Sequence, residues 1–192
     1  MDSTAGPLCL EADQGEAARI NSFALVTYIP EPLGSFLDGL RKELVPECSL
    51  RSHVSILPPR PLFHSEQAAH DQIEQECRRT PRFRIEAGSI RVFPVTNVIY
   101  IEVATGEDEL RQMHDSLNAD VLQFKEAYFY HPHITLAQQL PAEQILMAYE
   151  LAQRRWREYQ QVRGFDVDVI TFVQNTHSNR WIDLSELQMG PR

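Results

Sequence analysis

Segments with the hydrophobic pattern of strands alternate along the chain with segments that have the pattern of helices, and together they predict a mixed α and β protein. Short runs rich in strand-forming residues or alternating in polarity predict strands over 23–29, 53–57, 83–93, 98–103, 133–136, 165–173 and 180–184. Apolar residues that recur with helical spacing predict helices over 33–44, 66–79, 110–121 and 145–156. We expect the strand at 53–57 to end at Pro58 and Pro59, because proline cannot donate a hydrogen bond to a sheet. The turn residues between 93 and 98 predict a hairpin.

The predicted elements repeat with a nearly constant shift. His53 superposes on His133 with a shift of 80, and Phe83 on Phe165 and Ile99 on Trp181 with a shift of 82. The repeat predicts an α+β fold of two pseudo-symmetric lobes, each an antiparallel sheet with helices on its outer face and a cleft between the sheets. Residues 1–20 are polar and acidic and are expected to be a flexible leader, with residues 21–192 forming a single bilobal domain.

Composition narrows the range of partners. The 192 residues carry a net charge of -9, which argues against long double-stranded nucleic acid because such binding depends on neutralising phosphates. The three cysteines at 9, 48 and 77 form no CxxC pair, so neither a disulfide framework nor a zinc knuckle is expected. No apolar stretch is long enough to span a bilayer, and the N-terminus lacks the basic residues of a signal peptide. A cytoplasmic monomer without membrane contact is therefore predicted.

The candidate chemistry lies in two matching tetrapeptides, which begin at His53 and at His133. Each reads histidine, apolar residue, hydroxyl residue, apolar residue, with Ser55 and Thr135 as the hydroxyl residues. Side chains alternate along a strand, so each histidine shares a face with its hydroxyl partner. Their Cα atoms lie about 7 Å apart along the strand, which lets both side chains reach one tetrahedral group. A phosphate fits this arrangement.

Two imidazoles could supply both proton transfers that phosphodiester cleavage needs. An unperturbed pKa of about 6.5 makes either protonation state of histidine accessible near neutral pH. Hydroxyl groups could stabilise the charged phosphoryl oxygens. No metal or cofactor is required, and the adjacent His131 offers too few ligands for a zinc enzyme, which takes three from the protein.

The paired motifs resemble those of the 2H phosphoesterase superfamily, in particular its 2',5'-RNA ligase-like, or RNA 2',3'-cyclic phosphodiesterase, branch. The resemblance covers residues 22–187, and the four motif residues match the family pattern one by one. It implies the LigT-like fold and hydrolysis of a ribose 2',3'-cyclic phosphate on an RNA end or a small nucleotide. In some members it implies making or breaking 2',5' linkages. The family's second motif commonly continues to an arginine that contacts the substrate phosphate, where this chain has Gln138.

This departure leaves the source of positive charge and the activity itself open. Candidate substrate-binding residues are Gln138 together with the arginines Arg51, Arg60 and Arg180. Tyr28, Tyr128 and Tyr130 lie near the motif strands and could stack on a base or pack in the core. We consider 2',5'-linkage ligation at the same residues and a non-catalytic phosphate-binding module as alternatives to hydrolysis. The assignment of base and acid to the two histidines also stays open, with His133 favoured as base and His53 as acid.

Overall fold

The computed structural model of the protein describes residues 18–191. These residues form eight strands: β1 (Arg19–Tyr28), β2 (His53–Arg60), β3 (Phe83–Val92), β4 (Ile99–Thr105), β5 (His133–Ala137), β6 (Gly164–Val167), β7 (Val169–Thr176) and β8 (Trp181–Gln188). They also form four α-helices: α1 (Leu33–Leu44), α2 (Glu66–Arg79), α3 (Glu107–Leu117) and α4 (Ala142–Glu158). Most of the predicted leader, residues 1–17 with Cys9, lies outside the described residues, whereas Arg19 already begins β1.

The strands of residues 18–191 form one antiparallel sheet in the order β6-β3-β4-β5-β2-β1-β7-β8. The predicted α+β fold with two pseudo-symmetric lobes is confirmed, and the lobes are the two halves of this curled sheet. The order is symmetric about its centre, where β5 and β2 lie side by side. Each strand of one half has a counterpart at the same distance from the centre in the other half. The two halves meet where Val54 pairs with Ile134.

The structural repeat differs in two respects from the repeat predicted by a constant shift. The shift of 82 superposes Phe83 of β3 on Phe165 of β6, but these strands pair with each other in one lobe, and the counterpart of β3 is β7. That shift superposes Ile99 of β4 on Trp181 of β8, but β4 lies beside the central β5 and β8 lies at the edge of the sheet. The counterpart of β4 is β1, since Tyr28 pairs with His53 and Glu102 pairs with His133. The connection between these paired strands is longer in the second unit, so a constant shift could not detect the correspondence.

The strand predicted over 165–173 is in fact two strands separated at Asp168. The first, β6, pairs with β3 in one lobe, and the second, β7, pairs with β1 and β8 in the other. Apolar and acidic residues alternate from Phe165 to Val169 without a break at Asp168, so the sequence shows no sign of this change of partner. The chain therefore crosses from one lobe to the other at this point.

Strand β2 continues through both prolines to Arg60, contrary to the expectation that it ends at Pro58. Only Val54 of β2 pairs with β5. At the prolines, β5 therefore has no carbonyl that needs a backbone N–H donor from β2. On the other side, the register with β1 shifts between Leu57 and Arg60. The irregularity accommodates two residues that a regular central strand would exclude.

Helices pack their apolar stripes on one face of the sheet. Three buried residues of α1 match three of α3 in spacing: Leu37, Leu40 and Leu44 correspond to Leu110, Met113 and Leu117. Each such side chain contributes about 1.5–3 kcal/mol when fully buried. This packing fixes which face of β2 and β5 is covered and leaves the opposite face for chemistry.

Arg60 closes the end of β2 through a buried polar network. Its guanidinium donates to Asn118 Oδ1 at 2.9 Å and to the Leu122 carbonyl at 3.3 Å, and it forms an ion pair with Glu126. The Glu126 carboxylate also lies 3.0 Å from His114 Nε2. Arg60 is 3% exposed, so its charge is satisfied inside the protein.

We predict that Arg60→Met destabilises the protein by about 3–5 kcal/mol, since it leaves the largely enclosed Glu126 carboxylate without its cation. Urea denaturation measures the change. The matched control is Arg84→Met, which breaks an exposed ion pair with Glu86 and should cost about 1 kcal/mol or less. Equal losses for the two variants would show that the Arg60 network does not stabilise the fold.

Candidate active site

The two histidine motifs lie side by side on the central strands. Because Val54 pairs with Ile134 in an antiparallel register, His53 lies across from Thr135 and Ser55 lies across from His133. The four side chains share one partly exposed face, while Val54 and Ile134 are buried on the other. Directly opposed Cβ atoms lie about 5 Å apart, and the two histidines, on a diagonal, about 7–8 Å apart. That spacing leaves room for one phosphoryl group between the rings.

Both imidazole rings are oriented in the same way. His53 Nδ1 lies 2.7 Å from the carbonyl oxygen of Arg51, and His133 Nδ1 lies 2.7 Å from that of His131. A carbonyl only accepts hydrogen bonds, so Nδ1 carries the proton in each ring. In the neutral state each Nε2 is therefore an acceptor.

Burial sets the protonation state of the pair. Desolvation lowers the pKa of His53 to about 4 and also lowers the pKa of His133 below its ordinary value. The hydrogen bonds to the carbonyls of Arg51 and His131 oppose this effect. The charges of Arg41 and His133 lower the pKa of His53 further. Both rings are consequently neutral at pH 7 in the free protein.

On the β2 side, the candidate substrate-binding residues Tyr28 and Arg51 lie beside His53. The rings of Tyr28 and His53 meet edge to face at 6.4 Å, and the Arg51 guanidinium lies 3.7 Å from the centre of the Tyr28 ring. The Tyr28 hydroxyl donates to Asp183 Oδ1 at 2.6 Å, and burial together with this carboxylate raises its pKa. No sequence pattern indicates Asp183, because it reaches this place only through the pairing of β8 with β7 and of β7 with β1.

On the β5 side, two aromatic residues that no sequence motif indicates flank His133. The rings of Phe93 and Tyr100 stack at 4.0 Å. Both meet His133 edge to face, at 5.1 and 5.4 Å, and both contact His131. Tyr100 pairs with Thr135 across the sheet, which is the register relation that could have identified it.

The remaining predicted residues lie elsewhere or act differently. Arg60 is buried in the polar network described above, and Gln138 is exposed directly after β5. The Tyr130 hydroxyl donates to the Ser55 carbonyl at 2.8 Å, and its ring stacks on His114 at 4.0 Å. Tyr130 thus supports the motif strand from the edge that β5 leaves unpaired. Arg180 lies in the turn between β7 and β8, and Tyr128 is exposed.

The described part of the chain contains no group of three histidine, cysteine or acidic side chains placed to bind a metal. Among the helices of residues 18–191, none combines the length and the apolar character needed to cross a membrane.

A curled antiparallel sheet with one histidine and hydroxyl motif on each central strand is the architecture of the 2H phosphoesterases. Residues 30–179 match the model of the 2'-5' RNA ligase superfamily, and the chain belongs to that family. The resemblance noted from the motifs is thereby confirmed.

Relatives and solved structures agree with this assignment. A protein of Geobacillus kaustophilus (strain HTA426) that bears the name "Putative phosphoesterase" is 24% identical over 136 residues, which is 66% of this chain and 75% of the relative. E. coli LigT in its apo form has a similar fold, with a TM-score of 0.63 and 15% identity over 92% of this chain and 99% of LigT. LigT has also been solved with 3'-AMP, with a TM-score of 0.59 and 14% identity over 91% of this chain and 99% of LigT.

We predict that both motif histidines are Nδ1–H tautomers at neutral pH, because each Nδ1 faces a carbonyl oxygen. Long-range proton–nitrogen NMR correlations of the imidazole rings identify the tautomer, with His53→Asn and His133→Asn to assign the signals. On acidification, His53 should gain its second proton only as the pH approaches about 4. An Nε2–H tautomer for either ring would contradict the carbonyl anchor.

Proposed function

We propose that the protein is a metal-independent phosphodiesterase that hydrolyses a ribose 2',3'-cyclic phosphate on an RNA end or a small nucleotide. The observation that carries the proposal is the pair of imidazoles on adjacent strands, each with its Nδ1 anchored and its Nε2 left as an acceptor. Family membership supports phosphoester chemistry.

In the proposed reaction, one neutral imidazole accepts a proton from water through Nε2 while the water oxygen forms a bond to phosphorus. The bond from phosphorus to one ribose oxygen breaks, and the second imidazole, in its protonated form, donates a proton to that oxygen. Each such transfer contributes about 10²- to 10⁴-fold to the rate. The hydroxyls of Ser55 and Thr135 donate to the non-bridging oxygens, where negative charge is concentrated. The product is a ribose phosphomonoester.

Surrounding groups favour a nucleotide as ligand. The Tyr28 ring on one side and the stacked Phe93 and Tyr100 on the other offer aromatic surfaces near the imidazoles. Arg51 is exposed at the site and can meet an anionic group. The related fold of LigT has been crystallised with 3'-AMP, a ribose phosphomonoester of the kind that opening the cyclic phosphate would release. All of these residues come from one chain, so we propose that a monomer suffices.

The same residues could join RNA ends, and membership of the 2'-5' RNA ligase superfamily gives a reason to test this second activity. Purified protein would be incubated in EDTA with cyclic-phosphate-ended RNA, alone and together with a 5'-hydroxyl RNA. Opened cyclic phosphate supports hydrolysis, whereas joined product supports ligation. Binding without either product would identify a phosphate-binding module and would contradict the proposal.

We expect His53→Ala and His133→Ala each to lower kcat/KM for 2',3'-cyclic nucleotides by about 10²- to 10⁴-fold, because each removes one proton transfer. The assay contains EDTA, and circular dichroism checks the fold. His177→Ala, in the exposed turn between β7 and β8, is the control and should retain wild-type turnover. Near-normal turnover in both motif variants would exclude the mechanism.

The lowered pKa values predict an acidic optimum for kcat/KM. The active form needs one neutral and one protonated imidazole, and burial lowers both pKa values below 6.5, that of His53 to about 4. As the pH falls from 8, kcat/KM should rise while the acid becomes protonated, and it should fall again near pH 4 when both rings are charged. Since kcat/KM reports on the free enzyme, initial rates between pH 4 and 8 measure this profile. A maximum above pH 7 would contradict it.

A further inference from the structure

Helix α1 carries a buried arginine that the mechanism above does not use. Arg41 is 4% exposed, and its Nε and Nη1 atoms are enclosed without a hydrogen-bond partner. Within residues 18–191, no carboxylate forms an ion pair with its guanidinium. Arginine stays protonated in proteins, and an uncompensated buried charge costs several kcal/mol. The chain therefore carries a destabilising group here.

The equivalent position in the second unit is satisfied internally. The matched apolar positions of α1 and α3 place Arg41 at the position of His114. His114 is also buried, but its two ring nitrogens lie 2.9 Å from Asp115 Oδ1 and 3.0 Å from Glu126 Oε1. Its ring also stacks on Tyr130. A buried polar side chain at this helical position can thus find hydrogen-bond partners on both sides, as His114 does. The Nε and Nη1 atoms of Arg41 have none.

Arg41 lies on α1, and this helix is hydrogen-bonded to the residue that precedes β2. One turn earlier on α1, Asp38 Oδ1 accepts the Ser52 N–H at 2.7 Å and the Ser52 hydroxyl at 2.6 Å, and Ser52 directly precedes His53. The helix also contacts β5. The positive charge of Arg41 reaches His53, where it disfavours protonation. Asp38 is already engaged with Ser52 and forms no ion pair with Arg41.

We propose that Arg41 binds an anionic phosphoryl oxygen of the ligand at the His53 end of the site, so that its missing partner arrives with the ligand. Its third nitrogen, Nη2, is not among the enclosed atoms, which leaves a route for contact. Hydrogen bonds from a guanidinium to a phosphate are charge-assisted and about twice as strong as neutral ones. The inference rests on the proposed function for the identity of the ligand as a phosphate ester.

Titration calorimetry with inorganic phosphate and with 3'-AMP tests this assignment. Arg41→Met should weaken both by about tenfold or more, which corresponds to the 1.5–3 kcal/mol of a hydrogen bond to a charged group. The matched control is Lys42→Met, the next residue of α1, which is exposed and removes the same formal charge. Its affinities should change by less than about twofold, since an exposed charge is well screened. Equal affinities for wild type and Arg41→Met would overturn the inference.

Stability separates a ligand-binding arginine from a structural one. Arg41→Met removes no internal partner, so its urea midpoint should equal or exceed that of the wild type. A lowered midpoint, or failure to fold, would show a structural role and overturn the inference. Failure of the proposed function is distinguishable: the wild type would then bind phosphate in an Arg41-dependent way without opening any cyclic phosphate. Turnover of cyclic phosphates with unaltered phosphate binding in Arg41→Met would instead leave the function standing without this residue.

Discussion

The single antiparallel contact between β2 and β5 is the constraint on which the site depends. Val54 and Ile134 pair there, and both side chains are fully buried in the core. Because side chains alternate along a strand, burying these two residues sends the flanking histidine and hydroxyl residues to the opposite face. A slip of one residue in either strand would exchange the faces and bury an imidazole. Core packing therefore holds the four side chains of the candidate site in register.

The two imidazole rings are held by the same kind of hydrogen bond but have different neighbours. The carbonyl two residues before each histidine binds its Nδ1, so each motif orients its own ring without help from the other lobe. The neighbours of the rings differ, with Tyr28 beside His53 and the stacked Phe93 and Tyr100 beside His133. Identical anchors with different surroundings are what two chemically equal groups need in order to take different roles.

The sequence was sufficient for features that depend on neighbouring residues. Alternation in the motifs predicted which side chains share a face, and helical spacing predicted α1 with its observed bounds. Features that depend on sheet order could not be predicted. Asp183 reaches Tyr28 only through β7, and the split at Asp168 appears only when β6 and β7 choose different partners. Arg60 faces the core because β2 continues through its prolines, which a local rule excludes.

Arg41 connects the electrostatics of the fold with those of the reaction. In the free protein, its uncompensated charge and the burial of His53 act in the same direction, and both disfavour a protonated imidazole. A phosphoryl group would reverse both effects, because it would neutralise Arg41 and place negative charge beside the ring. Linkage then requires that protonation of the imidazole strengthen phosphate binding by the same factor. The imidazole of His53, which is neutral in the free protein, would thus become protonated when the ligand binds and could then serve as the general acid.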